Sequence, residues 1–297
     1  MQLSCLARAT EAVRRVAGSS FIFDRAVFFL AVLRASGGVL GAWAGAAPDD
    51  RGGGISVNAI SHSMARPFET ARRHVNALIE DGLCTRTSAG VLVSPALLNE
   101  PEIAGLLAHL HDALVWLTVQ WKSFDIPLPR DSFRENYRGD ITLAAAIDLA
   151  LGAFENVARF YTDWLELAVV NAVMAASARP ITFDANLSRL YSEPDTIPPA
   201  DRRRTVSAAG VARGLGIPYS TVRRQILGAV QAGILVERGS GVIVDDAILA
   251  GPGVAAAGTA AAARAAALLG RLVAAGFPFD DPARVYVVGP LKLVAFD

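Results

Sequence analysis

Cysteine is almost missing from this sequence. The two present among 297 residues, Cys5 and Cys84, are too few for a disulfide framework and are not spaced as metal ligands. Net charge is missing too: 28 Lys plus Arg offset 28 Asp plus Glu, with acidic pairs at Asp49/Asp50, Asp245/Asp246 and Asp280/Asp281. Attraction to a polyanion must therefore be local. Neither a GxxxxGKS/T phosphate loop nor an HExxH zinc motif occurs. Gly251-Pro252-Gly253 with Gly258 is a partial glycine pattern, but it opens an Ala-rich helix outside any βαβ unit. His109 and His111, two apart, point to different faces of a helix and make no metal pair. Without a nucleophile–base pairing either, no enzyme, cofactor or metal centre is expected.

Long uncharged apolar runs are also scarce. Two stretches approach membrane-span length, but 26–46 carries Arg34 mid-span and 253–276 carries Arg264 and Arg271. A charge at mid-bilayer costs about 2.5–3.5 kcal/mol even on the lenient scale, so both read as buried or packing helices. The N-terminal MQLSCLARATEAVRRVAG lacks the apolar core of a signal peptide. A cytoplasmic protein is expected, without a membrane partner.

What is abundant is aliphatic. Fifty-three per cent of residues are hydrophobic and 7% aromatic, which suits a mainly helical globular chain of about two domains and excludes disorder. Sliding the chain along itself shows a repeat. Residues 55–98 lie on 206–249 without a gap, at a constant offset of 151. Eleven of the 44 pairs are identical: Ser56/Ser207, Pro67/Pro218, Thr70/Thr221, Arg72/Arg223, Arg73/Arg224, Gly82/Gly233, Gly90/Gly241, Val91/Val242, Val93/Val244, Ala96/Ala247 and Leu98/Leu249.

Within the second copy, Val206, Val211 and Leu215 recur near helical spacing. Gly216-Ile217-Pro218 breaks that helix, and Ser220 and Thr221 open another whose inner face is Val222, Ile226 and Val230. Gly233 stops it, and ILVERGSGVIV reads as a hairpin around Gly239-Ser240-Gly241. Helix, turn, helix and hairpin make a winged helix-turn-helix. The expected fold is mainly α: two such modules with small β-hairpin wings on a helical scaffold, made by internal duplication. The segment GVARGLGIPYSTVRRQILGAVQAGILVERGSG resembles the winged helix-turn-helix of bacterial transcriptional regulators of the GntR and MarR type. The first copy departs from that pattern at Ala65-Arg66-Pro67-Phe68-Glu69-Thr70-Ala71 but keeps the Pro, Thr, Arg-Arg and Gly landmarks. The resemblance covers under a third of the chain and marks a module rather than one family.

Such modules imply double-stranded DNA as partner, with 68–81 and 219–232 as recognition helices. With Ala71, Val75 and Leu78 facing inward, Arg72, Arg73 and His74 cannot all do so at 100° per residue. Arg72 and Arg73 fall outward, as Arg223 and Arg224 do in the second copy, and Arg both reads guanine and clamps phosphate. Candidate DNA contacts are Arg66, Phe68, Glu69, Thr70, Arg72, Arg73 and the wing residue Arg86, then Tyr219, Ser220, Thr221, Arg223, Arg224 and the wing residue Arg238. His62 and His74 read as DNA-side or structural, and Arg202-Arg203-Arg204 suits backbone attraction.

The expected borders are 1–50 (N-terminal helical segment), 51–98 (first module), 99–140 (helical connector), 141–205 (long helix and linker), 206–249 (second module) and 250–297 (C-terminal helix and short strands). Helices are expected over 21–46, 102–123, 142–178 and 253–275, and two strands around Gly289-Pro290. The apolar helices read first as core or as a homodimer interface, and an effector pocket lined by Trp116, Trp121, Phe160 and Trp164 ranks below core packing because no polar groups converge there. Together these features point to a sequence-specific transcriptional regulator reading non-identical half-sites about 34 Å apart. The rival from another class is a non-catalytic scaffold whose tandem winged helices bind proteins. A replication initiator would show a stronger basic excess.

Overall fold

The computed structural model describes residues 1–18, 23–45, 53–129, 137–157, 163–193, 196–292 and 296. The chain is mainly helical, with two small antiparallel hairpins. Its first part runs α1 (Gln2–Ala17), α2 (Phe23–Ala35), α3 (Gly37–Trp43), α4 (Val57–Ser63), α5 (Phe68–Glu80), β1 (Cys84–Thr87), β2 (Gly90–Val93), a 3-10 turn over Pro95–Asn99 and α6 (Pro101–Ser123). A like order follows: α7 (Gly139–Val157), α8 (Trp164–Thr182), α9 (Ala185–Leu190), α10 (Ala208–Leu215), α11 (Tyr219–Gln231), β3 (Leu235–Arg238), β4 (Gly241–Val244), α12 (Asp246–Leu249) and α13 (Pro252–Ala274). A 3-10 turn over Pro282–Val285 comes last.

Several of the repeated identities have the same local physical role in both segments. The Ser56 hydroxyl accepts from the Ala59 N–H at 3.1 Å and Ser207 from Gly210 at 3.0 Å, capping α4 and α10. Gly82 and Gly233 take φ of 74° and 71° just past α5 and α11, the left-handed conformation that closes a helix. Ile55 bridges to Val91 and Val206 to Val242, so each hairpin gains a one-residue antiparallel bridge along its outer edge. That approach is why Gly90 and Gly241 recur: a Cβ on either would sit 2.7 Å from the backbone of Ile55 or Val206. The hairpin registers match at the same offset, Cys84 opposite Val93 and Leu235 opposite Val244.

The chain divides into two compact units, Met1–Ala158 with Arg264–Lys292, and Arg159–Ala263 with Leu293–Asp297. In the first, α2 buries side chains on all sides, Phe23, Phe28, Phe29, Leu30 and Leu33 among them, as a central helix does. Helices α1 and α7 pack on it, with α6 against both, and α4, α5 and β2 rest on α2 as well. The Ser36 hydroxyl accepts from the Val93 N–H at 3.0 Å, and Arg25 pairs with Asp81 at 2.5 Å, fixing β2 and the end of α5 to this support. On α7, Asp148 and Glu155 form a ladder with Arg271 and Arg264 of α13. Arg34 of α2 joins it, 2.6 Å from Glu155 and 3.6 Å from Asp148, and also donates to Ser63 at the end of α4. Burial acts to raise the Glu155 carboxyl, but the hydrogen bonds from Arg34 and Arg264 outweigh it and hold the carboxyl below its usual range.

In the second unit α8 is the support for α10, α11 and β4. Asp163 caps α8 and accepts from Gln225 of α11 at 2.9 Å. Arg203 does not belong to a solvated basic run: its side chain is 2% exposed, donating to the Val244 carbonyl at 2.8 Å and pairing with Asp246. Arg202 and Arg204 are exposed.

Further expectations change, beginning with the helix over 21–46, which is two, α2 and α3. The single helix over 142–178 is two, α7 and α8, with Asp163 restarting the second; 158–162 lie outside the described residues. Ala229 is the buried inner position of α11 and Val230 is half-buried. No strand forms around Gly289 among the described residues. Instead the N–H groups of Val287, Val288 and Gly289 donate to the Asp112 carboxylate at 2.8–2.9 Å, which spends the donors a ladder would use. Helix α13 is a packing helix rather than a buried one: Arg264 and Arg271 engage α7, but only 11% of its apolar window is buried, against 61% for α6. By length and composition both are apolar enough to cross a membrane, and α2 with α3, bent by 83°, forms a third apolar stretch.

Candidate nucleic-acid interface

Helix α5 buries Ala71, Val75 and Leu78, and α11 buries Val222, Ile226 and Ala229. The opposite face of α5 carries Glu69, Arg72, Arg73, Asn76 and Glu80, which with Thr70 and Ala77 line a shallow groove of about 480 Å³. The corresponding positions on α11 hold Ser220, Arg223, Arg224, Leu227 and Gln231. Arg72, Arg73, Arg223 and Arg224 are all exposed. Arg73, Arg223 and Arg224 make no hydrogen bond or ion pair among the described residues. Arg72 does: its Nε and Nη2 both lie 2.8 Å from Glu69 Oε2, with side chains 52% and 70% exposed. An exposed pair of this kind holds weakly.

The two faces therefore differ in charge. On α5 two carboxylates face two guanidiniums, whereas α11 carries two guanidiniums and no carboxylate. Phe68 and Tyr219, first in their helices, are 46% and 54% exposed. Ser220 is exposed, and Thr70 and Thr221 are half-buried. Arg66 is half-buried in the turn before α5. In the hairpins Arg86 turns back to donate to Asn76 of α5 at 3.0 Å, and the residue at its place in the second hairpin is Glu237. Arg238 stands exposed beside the Gly239-Ser240 turn.

The third member of the Arg-Arg-His triplet points the other way. His74 stacks on Phe28 of α2 at 4.9 Å. Burial, reinforced by Arg73, Arg25 and Arg66, lowers it from 6.5 to about 4, so it stays neutral. Gln225 has the same place on α11 and reaches Asp163 instead. This position ties each outward helix to its support, a role not readable from one copy alone. Asn76 and Glu80 also escaped notice, although continuing the i, i+3, i+4 spacing from Glu69 and Arg72 reaches both.

His62 is exposed, its Nδ1 2.8 Å from the Asn58 carbonyl. His109 bonds Ser4 at 3.0 Å, and His111 bonds Asp112 and Tyr137, so the two have separate neighbours. No cluster of three metal-ligating side chains occurs among the described residues. Trp164 is buried in the second unit, Trp116 and Trp121 are half-buried on α6, and Phe160 lies outside the described residues. Comparison with protein-family models, characterised proteins and solved structures finds no match for the chain.

Proposed function

We propose that the protein is a sequence-specific DNA-binding regulator of transcription. Its two segments of helix, turn, helix and hairpin are read as winged helix-turn-helix modules made by internal duplication, with α5 and α11 as recognition helices. The observation that carries this reading is the exposed arginine pair at the same outward place on both helices. Each pair is flanked by an exposed aromatic ring able to meet a thymine methyl or a sugar. Thr221 and Ser220 at the helix start supply hydroxyls for phosphate or base edges. The balanced overall charge implies modest affinity for unselected duplex and a salt dependence set by a few arginines. Arg264 and Arg271, engaged with α7, fit α13 better to a soluble bacterial cytoplasmic protein than to a membrane span. The exposed apolar run of α13 supports a homodimer through the helical segments.

Selection of bound sequences from a random duplex pool tests the reading, with Arg72, Arg73, Arg223 and Arg224 all changed to Ala as control. Enrichment of a defined motif by the native chain, lost in the control, is expected. A pool without enrichment, or equal retention by the control, overturns it. A second reading, a protein-binding scaffold, is favoured by Tyr219 and Leu227, which leave 54% and 39% of their surface open on α11.

A further inference from the structure

The two outward helices differ most at their first turn, where α5 has Glu69 and α11 has Ser220. Duplex DNA carries about one negative charge per 1.7 Å of axis, so a carboxylate at the leading end of a docking helix repels the backbone. Arg72 offsets part of that repulsion, and among base edges a carboxylate is matched only by a hydrogen-bond donor. Among major-groove edges the cytosine N4 amino group is the donor without an acceptor beside it on the same base, whereas adenine sets N7 next to its N6 amino group.

The geometry of Glu69 fits that donor. Both contacts from Arg72, through Nε and Nη2, fall on Oε2, and Oε1 and Nη1 make no hydrogen bond among the described residues. An acceptor oxygen on Glu69 and guanidinium donors on Arg72, one turn along the same face, complement the cytosine amino group and the guanine O6/N7 pair of one C·G base pair. Ser220, able both to donate and to accept, imposes no such choice on α11. Resting on the DNA-binding reading above, we infer that Glu69 with Arg72 is a specificity element. In this account α5 selects a C·G pair, while the carboxylate-free α11 anchors the chain through charge, and the preferred site has direction rather than palindromic symmetry.

Three full-length variants test this: Glu69→Ser, which copies α11; Glu69→Gln, which keeps the shape and removes the charge; and the reciprocal Ser220→Glu. All three changes are on exposed positions, and circular dichroism checks that folding is retained. Selection from a random duplex pool should give the native chain a cytosine at one position of one half-site. Glu69→Ser and Glu69→Gln should lose that preference by about tenfold. They should also bind unselected duplex more tightly, with a salt slope steeper by about 0.9 as Arg72 is released to a phosphate. Ser220→Glu should create a cytosine preference in the other half-site. If Glu69→Ser keeps the native base choice and salt slope, the inference fails while DNA binding stands. If the native chain enriches no sequence, the regulator reading itself fails and this one with it.

Discussion

A single residue separates a strained turn from a relaxed one in the two repeated segments. Ala65 holds φ at 47° in the turn before α5, and Gly216 holds 66° at the corresponding place before α11. A Cβ in that region costs about 1–2 kcal/mol, partly offset because alanine has less unfolded freedom to lose. Ala65→Gly should therefore stabilise the first unit by up to about 1 kcal/mol and Gly216→Ala should destabilise the second by about as much, read from denaturant midpoints. Burial pushes the Cys5 and Cys84 thiols up to about 11 and about 12, so a thiol reagent near neutral pH should label the chain only as it unfolds. Asp112→Ala would remove the acceptor shared by the N–H groups of 287–289 and so release that segment from α6. Limited proteolysis near the C-terminus should then quicken relative to the native chain. Sequence shows none of this directly: Ala65 looks like any alanine, and Arg203 like any linker arginine, until their backbone and burial are known.

At the scale of elements, much was legible because helical periodicity and turn chemistry are local. The closing glycines, the inner face of α5 and two of the three inner positions of α11 can be read from spacing, and both hairpins follow from their glycine-centred runs. What failed depended on partners distant in sequence. The apolar run 142–178 hides its break because periodicity resumes beyond it, and only the capping role of Asp163 marks the restart. The β-rich C-terminus forms no ladder because a carboxylate on α6 takes its donors. Apolar composition alone did not say that α13 lies largely exposed. The candidate interface was half legible, since spacing showed which arginines face outward but not that Glu69 partners one of them. Gly241→Ala tests the packing logic of the second hairpin. It should push the Val206 bridge off β4 and destabilise the second unit by about 1–3 kcal/mol, with thermal unfolding as the measurement.

For the molecule as a whole, acid should act in two stages. His74 and His109 are lowered from 6.5 to about 4, chiefly by burial and then by nearby arginines. Between pH 6.5 and 4 the unfolded chain takes up these protons while the folded chain does not, so stability falls as pH falls across that window. The carboxyls of Glu11, Asp112, Asp140 and Glu155, held below their ordinary 3.8 or 4.5, add their loss only at more acid pH. A His74→Gln, His109→Gln chain should show a flatter melting temperature between pH 6.5 and 4.5 than the native chain, with both falling below that.

The ladder on α7 has a consequence for how the protein is made. Asp148 and Glu155 receive two of their three guanidinium partners from α13, and the third, Arg34, reaches the helix pair bearing α5. Two carboxylates of α7 thus wait on cations translated more than a hundred positions later, 109 for Glu155 and 123 for Asp148, and a chain cut before Arg264 would leave both to Arg34.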